Sequence, residues 1–303
     1  MDLIPVYPPL KSDLHSHTAC SDGKLSPVEY IDYAVAREIR VLALTDHDNM
    51  NALEPVLKYV KDKDLPIRII PGIELSTTWM EGTCPYQIHI VGLNCDPSNP
   101  KLQEIIRINK EKRDYRVEVI SAKLVKNGVG AKDLADYLSV YQQAGTFITR
   151  KHFADYLIKN HIVPDNSAAF DKYLTKGGLA YCKVEWGSIP EAVKVIKDAG
   201  GVPVLAHPMR YKELNKKTKY RDRLVDYYTE QGGVAIETAH PMMKSEEKKV
   251  ARDYASSHDL YSSYGSDFHE RNVPERAMGR DLWLAAPSKP IWEHDQIKDY
   301  FKQ

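Results

Sequence analysis

The chain has 303 residues, 43% of them hydrophobic and 28% charged, a balance that excludes a disordered or fibrous chain and allows a large buried core. Its 42 Lys and Arg residues are matched by 42 Asp and Glu, which disfavours a protein that grips nucleic acid through overall positive charge. No apolar run reaches 18 residues, no basic segment leads into an apolar one at the N-terminus, and none of the 4 cysteines is spaced as CxxC; a cytoplasmic chain with free thiols, not bound to a membrane, is expected.

In chain order, the first strand-like run ends in Asp13-Leu14-His15-Ser16-His17, with Ser21-Asp22-Gly23 close behind. Histidines at i and i+2 of an extended segment face the same side about 6–7 Å apart, so two imidazoles can grip one metal ion. Ser26-Pro27-Val28-Glu29 combines a capping box with a first-turn proline, and Ile31, Ala34, Val35 and Ile39 continue the helix at its period. Val41-Leu42-Ala43-Leu44-Thr45 is a continuous apolar strand closing on Asp46-His47-Asp48, followed by a helix over about 49–63. Ile67-Arg68-Ile69-Ile70 runs into Pro71-Gly72-Ile73-Glu74, and a further strand over 87–93 carries His89.

Near Pro97-Ser98-Asn99-Pro100 the pattern turns helical and polar, and it stays so to about 176. Ser188-Ile189-Pro190-Glu191 is a second capping box, opening a helix over 189–199. Val202-Pro203-Val204-Leu205-Ala206-His207, Val234-Ala235-Ile236-Glu237 and the run 261–267 then repeat the strand design, with Pro203 arguing against a strand interior in the first of them. Short apolar strands alternating with helices predict parallel βαβ units. The expected architecture is an α/β barrel of seven or eight such units over 12–97 and 181–290, interrupted by a helical, substrate-capping insertion over 98–180.

Active sites of such barrels lie at the carboxyl ends of the strands. The residues placed there are His15, His17, Asp22, His47, Glu74, His89, His207, Asp267 and His269. Imidazole and carboxylate donors suit Mn, Fe or Zn, and the absence of thiolates argues against a closed structural zinc site. At about four protein ligands per ion, this set suits two or three divalent ions. Asp13 and Asp46 are expected to orient imidazole N–H groups. His161, His240, His258 and His294 lie on helices or loops without partners and read as surface residues.

The motifs Asp13-Leu14-His15-Ser16-His17 with Ser21-Asp22-Gly23, Thr45-Asp46-His47-Asp48, Pro71-Gly72-Ile73-Glu74, Ile88-His89-Ile90, Ala206-His207-Pro208 and Gly265-Ser266-Asp267-Phe268-His269 resemble, in order, those of the PHP (polymerase and histidinol phosphatase) superfamily. The resemblance covers 12–97 and 181–285. It implies a distorted (β/α)7 barrel and a trinuclear, usually Mn-loaded centre that hydrolyses phosphoesters, with Glu74, Asp267 and His207 as catalytic candidates. It further implies one ion on His15, His17, Glu74 and Asp267, a second on Glu74, His89 and His207, and a third on Asp22, His47 and His269. Glu74-Leu75-Ser76-Thr77 with Trp79, the run 88–94, Thr149-Arg150-Lys151-His152-Phe153-Ala154, Lys172-Tyr173-Leu174 and His207-Pro208-Met209-Arg210-Tyr211 are similar to a bacterial subgroup of 3′,5′-nucleotide bisphosphate phosphatases and 5′→3′ exoribonucleases of the RNase AM type. Lys183-Val184-Glu185-Trp186 departs from the Pro-rich stretch expected there, which puts local substrate contacts in doubt.

Two ions with a shared water between them make a hydroxide nucleophile near neutral pH, so the chemistry needs no Ser or Cys. Ser16 and Ser21 are then hydrogen-bonding neighbours, with Ser21 a substrate-contact candidate. Arg150 and His152, heading a helix, and Arg210, after His207, are placed to take a second phosphate. Residues 101–126 hold eight Lys/Arg against four acids and 209–223 seven against two. Each reads either as a solvated face or as a hold on an RNA backbone, with Tyr115, Tyr211 and Tyr220 available for base stacking. The substrate expected is a nucleotide or short RNA, with no stable protein partner implied. A histidinol-phosphate-type phosphatase and a noncatalytic metal-binding PHP module are the alternatives.

Overall fold

The computed structural model describes residues 3–211, 214 and 218–302. Ahead of the barrel, β1 (Pro5–Val6) precedes β2 (Ser12–Asp13). The capping box at Ser26 and Glu29 forms as expected and opens α1 (Pro27–Ala36). Then come β3 (Val41–Leu44), α2 (Leu53–Asp62), β4 (Arg68–Glu81) and β5 (Cys84–Leu93). After the insertion, β6 (Gly187–Ser188) leads into the second capping box and its helix Ile189–Asp198. β7 (Val202–Leu205), β8 (Ala235–Ala239), β9 (Tyr261–Tyr264) and β10 (Leu284–Ala285) follow.

The wall runs β2-β3-β4-β5-β7-β8-β9, with β6 added against β4. Its two ends meet just beyond the edge strands: Asp267 N–H donates to His15 O at 2.8 Å and His17 N–H to Phe268 O at 2.9 Å. The sheet is thereby a nearly closed seven-stranded barrel. Leu14, Val41, Ile70, Val91, Val204 and Tyr264 fill its interior. Outside, Ile189, Val193 and Ile196 of the helix before β7 pack on Ile73, Ile90 and Leu205; each such fully buried side chain stabilises by about 1.5–3 kcal/mol.

The expectation of an all-parallel wall is corrected at β5, which is antiparallel to both β4 and β7. The cause is local. β4 does not stop at Pro71-Gly72 but continues to Glu81, and Gly82, with φ 59°, turns the chain straight back into β5. Glu74 and His89 consequently sit inside a long hairpin rather than at strand ends. Pro203 stays within β7, where it pairs with Gly92 of β5. The packing also passes the expected barrel limits of 12 and 290: β1 pairs with β10, and Ile291, Trp292 and Phe301 join the interior cluster.

The insertion holds helices joined by turns, α3 (Pro100–Lys126), α4 (Ala131–Gln143), α5 (Arg150–Lys159) and α6 (Asn166–Ala169), the last running into a π-helical turn, Phe170–Leu174. It has its own apolar cluster, in which Ile120, Leu124, Phe153, Leu157 and Leu174 are buried. The helix before β7 is α7; α8 (Thr218–Glu230) and α9 (Ser245–Ser257) follow among the described residues. The basic run 101–126 is divided between two environments. Arg107 pairs with Glu104 and Glu111, and Lys110 with Asp114, on the solvent side. Arg113 and Arg116 turn inward, both guanidiniums lying over Trp186 at 5.3 and 5.2 Å. In the run 209–223, Lys212, Glu213, Lys216 and Lys217 lie outside the described residues. Among the described residues no helix is long and apolar enough to cross a membrane.

Candidate metal centre

Sheet register assembles the centre around Glu74. The parallel β3–β4 pairing extends to a bridge between His47 and Glu74, the β4–β5 hairpin sets Ser76 opposite His89, and Ala206 N–H donates to His89 O, which brings His207 up from the next strand. Glu74 Oε1 lies 2.9 Å from His89 Nδ1, 3.1 Å from His207 Nε2 and 3.3 Å from His15 Nε2. Its Oε2 lies 2.8 Å from His47 Nδ1 and 3.4 Å from His17 Nε2. Asp22 approaches from the other side, 3.2 Å from His269 Nε2 and 3.6 Å from His47 Nε2, and Asp267 Oδ1 is 3.0 Å from His17 Nε2. All nine residues drawn from the strand-end pattern therefore converge. The His15 and His17 rings are 5.2 Å apart, nearer than a regular strand sets them, because β2 ends at Asp13 and the pair flanks a single bridge at Ser16.

Four overlapping groups have donor atoms within 4.8 Å of one another: His17, Asp22, His47 and His269; His15, His17 and Asp267; His15, Glu74 and His207; His47, Glu74 and His89. In this grouping His47 faces both Glu74 and Asp22, and His15 accompanies His207. The donors fit a cation better than each other. His15 Nε2, His17 Nδ1, Asp22 Oδ1, His47 Nδ1 and Glu74 Oε2 are buried without a hydrogen bond, although His47 Nδ1 and Glu74 Oε2 are only 2.8 Å apart. Buried polar atoms normally find partners; lone pairs that converge without sharing a proton are arranged for a positive ion. Electrostatics agree. Burial raises the carboxyls of Glu74 and Asp22, but the surrounding imidazoles overcome it and hold both well below the usual carboxylate range. Burial, reinforced by His269 and His47, lowers His17 to about 4, leaving the neutral imidazole that coordination requires; at His15, His47 and His269 burial is outweighed by the neighbouring carboxylates, which raise the rings and mark the same centre as attractive to positive charge.

Backbone geometry at the centre is specialised. His207 and Asp267 adopt φ of 31° and 51°, a left-handed region that costs a non-glycine residue about 1–3 kcal/mol. A Cβ on Gly265 would fall 2.2 Å from the Cβ of His15, so only glycine lets β9 approach that ligand.

A cavity of about 710 Å³ opens over the centre. Arg150, Lys151 and Arg210 line it together with Phe170, Met242 and Arg276. Arg150 donates to Gln87 Oε1 at 3.0 Å and lies over the Phe170 ring, while Arg210 pairs with Asp267. Three expectations are corrected here. His152 does not reach the cavity; it is buried, and its Nδ1 accepts the Thr149 N–H at 3.0 Å as part of the α5 cap. Ser21 is fully buried and donates to Asp46 at 2.6 Å, so it faces away from substrate. Asp13 and Asp46 orient no imidazole. Asp13 accepts the backbone N–H groups of Ser266 and Gly279, and Asp46 holds Thr18 and Ser21. Tyr211 meets the His207 ring and accepts the His89 N–H, Tyr220 packs against the barrel core, and Tyr115 is exposed. His161, His240, His258 and His294 belong to none of the four groups.

Sequence reasoning missed Glu237 and Asp48. Glu237 closes an apolar run just as Glu74 does, a signal that was present. Asp48 sits in the His47 motif, but its partner, Arg113, comes from 65 residues away.

Comparison with known proteins agrees with this geometry. The family model described as PHP domain matches residues 13–202. The 5′-3′ exoribonuclease Rnm of Escherichia coli (strain K12) is 37% identical over 282 residues, spanning 93% of this chain and 92% of that protein. The 3′,5′-nucleoside bisphosphate phosphatase of Chromobacterium violaceum is 35% identical over 280 residues, spanning 92% and 94%. A solved Chromobacterium violaceum structure, described as an amidohydrolase with bound sulfate and no metal, superposes with a TM-score of 0.84 at 33% identity, covering 97% of this chain and 98% of that one. The chain belongs to the PHP-domain family and is a hydrolase of phosphoester bonds.

Proposed function

We propose that the protein removes the 3′-phosphate of 3′,5′-nucleotide bisphosphates, leaving the 5′-nucleotide, and degrades short 5′-phosphorylated RNA in the 5′→3′ direction. The observation that carries this reading is the convergence of unpaired His and carboxylate donors on Glu74 beneath a cavity rimmed by arginines. The nine donors hold two to three divalent ions; an all-nitrogen and oxygen set suits Mn, Fe or Zn, and Mn is the first choice because the PHP centres that these motifs resemble are usually Mn-loaded. When bound, such ions neutralise phosphoryl oxygens and lower the pKa of water toward neutrality.

The chain's own residues do the rest. Arg150 and Arg210 bind phosphate away from the reacting one, and the 710 Å³ cavity has room for more than a single phosphate. Ser16 and Ser21 supply no nucleophile, since both hydroxyls are buried and engaged with Tyr30 and Asp46. A cytoplasmic location suits the four free cysteines.

The test is product analysis with Mn²⁺ on 3′-phosphoadenosine 5′-phosphate, a 5′-phosphorylated short RNA and histidinol phosphate in parallel. Phosphate from the first and mononucleotides from the second are expected. Turnover of histidinol phosphate alone would reject the nucleotide reading. No turnover with fewer than two ions per chain would favour a noncatalytic module. Arg150→Ala is expected to lower kcat/KM for the bisphosphate about 10- to 100-fold, the loss of one hydrogen bond to a charged group. A simple nucleoside 3′-monophosphate should lose less, and equal losses on both would remove Arg150 from second-phosphate recognition.

A further inference from the structure

Glu237 joins two donors that reach the centre from different strands. It stands on β8 between Ala235 and Ala239, which face the barrel interior, and it is 3% exposed. The β8–β9 register shifts between Glu237 and Ala239; such bulges re-aim side chains beside functional sites. Its Oε1 is 2.6 Å from His15 Nδ1, and its Oε2 accepts the His207 N–H at 2.6 Å. A carboxylate has no proton to give, so His15 Nδ1 carries the hydrogen, and in the neutral ring that coordination requires Nε2 is the nitrogen that presents a lone pair. That Nε2 has no hydrogen bond and faces Glu74 Oε1 at 3.3 Å. The second bond secures the left-handed backbone of His207.

We propose that Glu237 is the positioning residue of this centre: it selects the Nδ1–H tautomer of His15 and locks the His207 backbone, preparing the His15–Glu74–His207 group for a divalent cation. The inference rests on the metal-dependent reading above. Its reach is local, because among the described residues Glu237 hydrogen-bonds no member of the His17–Asp22–His47–His269 group. Carboxylate, imidazole and metal in line is a general device for fixing a ligand's tautomer.

Glu237→Gln isolates the effect at nearly constant volume. If the amide carbonyl accepts from His207, the NH₂ group faces His15 Nδ1 and forces the hydrogen onto Nε2, which blocks that donor. If the carbonyl accepts from His15 instead, the NH₂ opposes the His207 N–H. Either arrangement harms one donor of the His15–Glu74–His207 group and leaves the His17–Asp22–His47–His269 and His47–Glu74–His89 groups intact.

The test is calorimetric Mn²⁺ titration with metal analysis of wild type, Glu237→Gln and Glu237→Ala, with thermal unfolding of each in chelator and in Mn²⁺. One ion's affinity is expected to fall about 10- to 100-fold, the others to be retained, and metal-induced stabilisation to shrink more than metal-free stability. Wild-type affinity and stoichiometry in Glu237→Gln would overturn the proposal. Uniform loss of all ions, with equal destabilisation in chelator, would overturn it too, by showing only structural support. If the variants do not fold, ¹⁵N NMR of the metal-free wild type, at a pH where the His15 ring is neutral, decides: His15 with its proton on Nε2 refutes the assignment, and on Nδ1 supports it. A wild type that takes up no divalent cation would reject the metal-centre reading itself, an outcome distinct from both failures in the variant.

Discussion

Glu74→Ala is expected to reduce phosphate release by more than about 10²-fold, beyond the usual loss from removing a mere supporting partner of a ligand. The chain should remain folded by far-UV circular dichroism, since the fully buried Glu74 side chain is held in polar company and the barrel core lies below it. The reason for so large an effect is position. One carboxylate lies within 3.4 Å of five imidazoles, three at Oε1 and two at Oε2. No other side chain spans the centre in this way among the described residues. Without it, five rings lose the one carboxylate they all share, and metal content should drop alongside turnover. Near-normal turnover in Glu74→Ala would defeat the central role given to this residue.

The second large effect is expected on stability, at the seam between insertion and barrel. Asp48 Oδ1 accepts from Ser76 N and Asn109 Nδ2, both at 2.7 Å, and its Oδ2 accepts from Ser76 Oγ at 2.8 Å and Arg113 Nε at 2.9 Å. The Asp48 N–H in turn donates to Glu74 O at 2.9 Å. The Asp48 and Arg113 side chains are 0% and 3% exposed. Arg113→Ala leaves that carboxylate buried and short of its cation, which costs about 3–5 kcal/mol. At about 2–4 °C per kcal/mol, the unfolding midpoint should fall by roughly 6–20 °C. The double variant Asp48→Asn/Arg113→Met removes both charges and should lose less than Arg113→Ala alone. A midpoint unchanged in Arg113→Ala, measured by scanning calorimetry, would show that the pair does not bind α3 to the site. Because Asp48 adjoins His47 and holds the β4 backbone, the same variant should also weaken metal retention.

Much of the fold and centre was legible from residues close in sequence. Ser26 with Glu29 and Ser188 with Glu191 announced two helix starts, because a cap is a contact across three residues. The nine donors were visible because each closes or interrupts an apolar run, and the strand period carries them to one rim. The long β4–β5 hairpin was not legible. Its outer half, Ser76–Gln87, mixes polar and apolar residues, and its pairing depends on a turn at Gly82 that no local apolar pattern marks. His152 was misread for a related reason: an imidazole at the head of a helix can serve substrate or cap, and only the Thr149 N–H direction decides. Arg150 and His152 are two residues apart on α5, yet one lines the cavity and the other is buried.

The sequence by itself determined that this chain carries a His- and carboxylate-rich phosphoesterase site on an α/β barrel with a helical insertion, since those features lie in short motifs and local periodicity. Only the tertiary structure decided which donors share a group, that Glu237 holds His15 and His207 together, that Arg113 is an internal brace rather than an RNA contact, and which cations face the cavity. Those outcomes depend on strand register and on side chains that meet across 65 residues or, for Glu237 and His15, across 222. A one-residue slip of register reverses the face each side chain presents, so such contacts exist only once the whole sheet has closed.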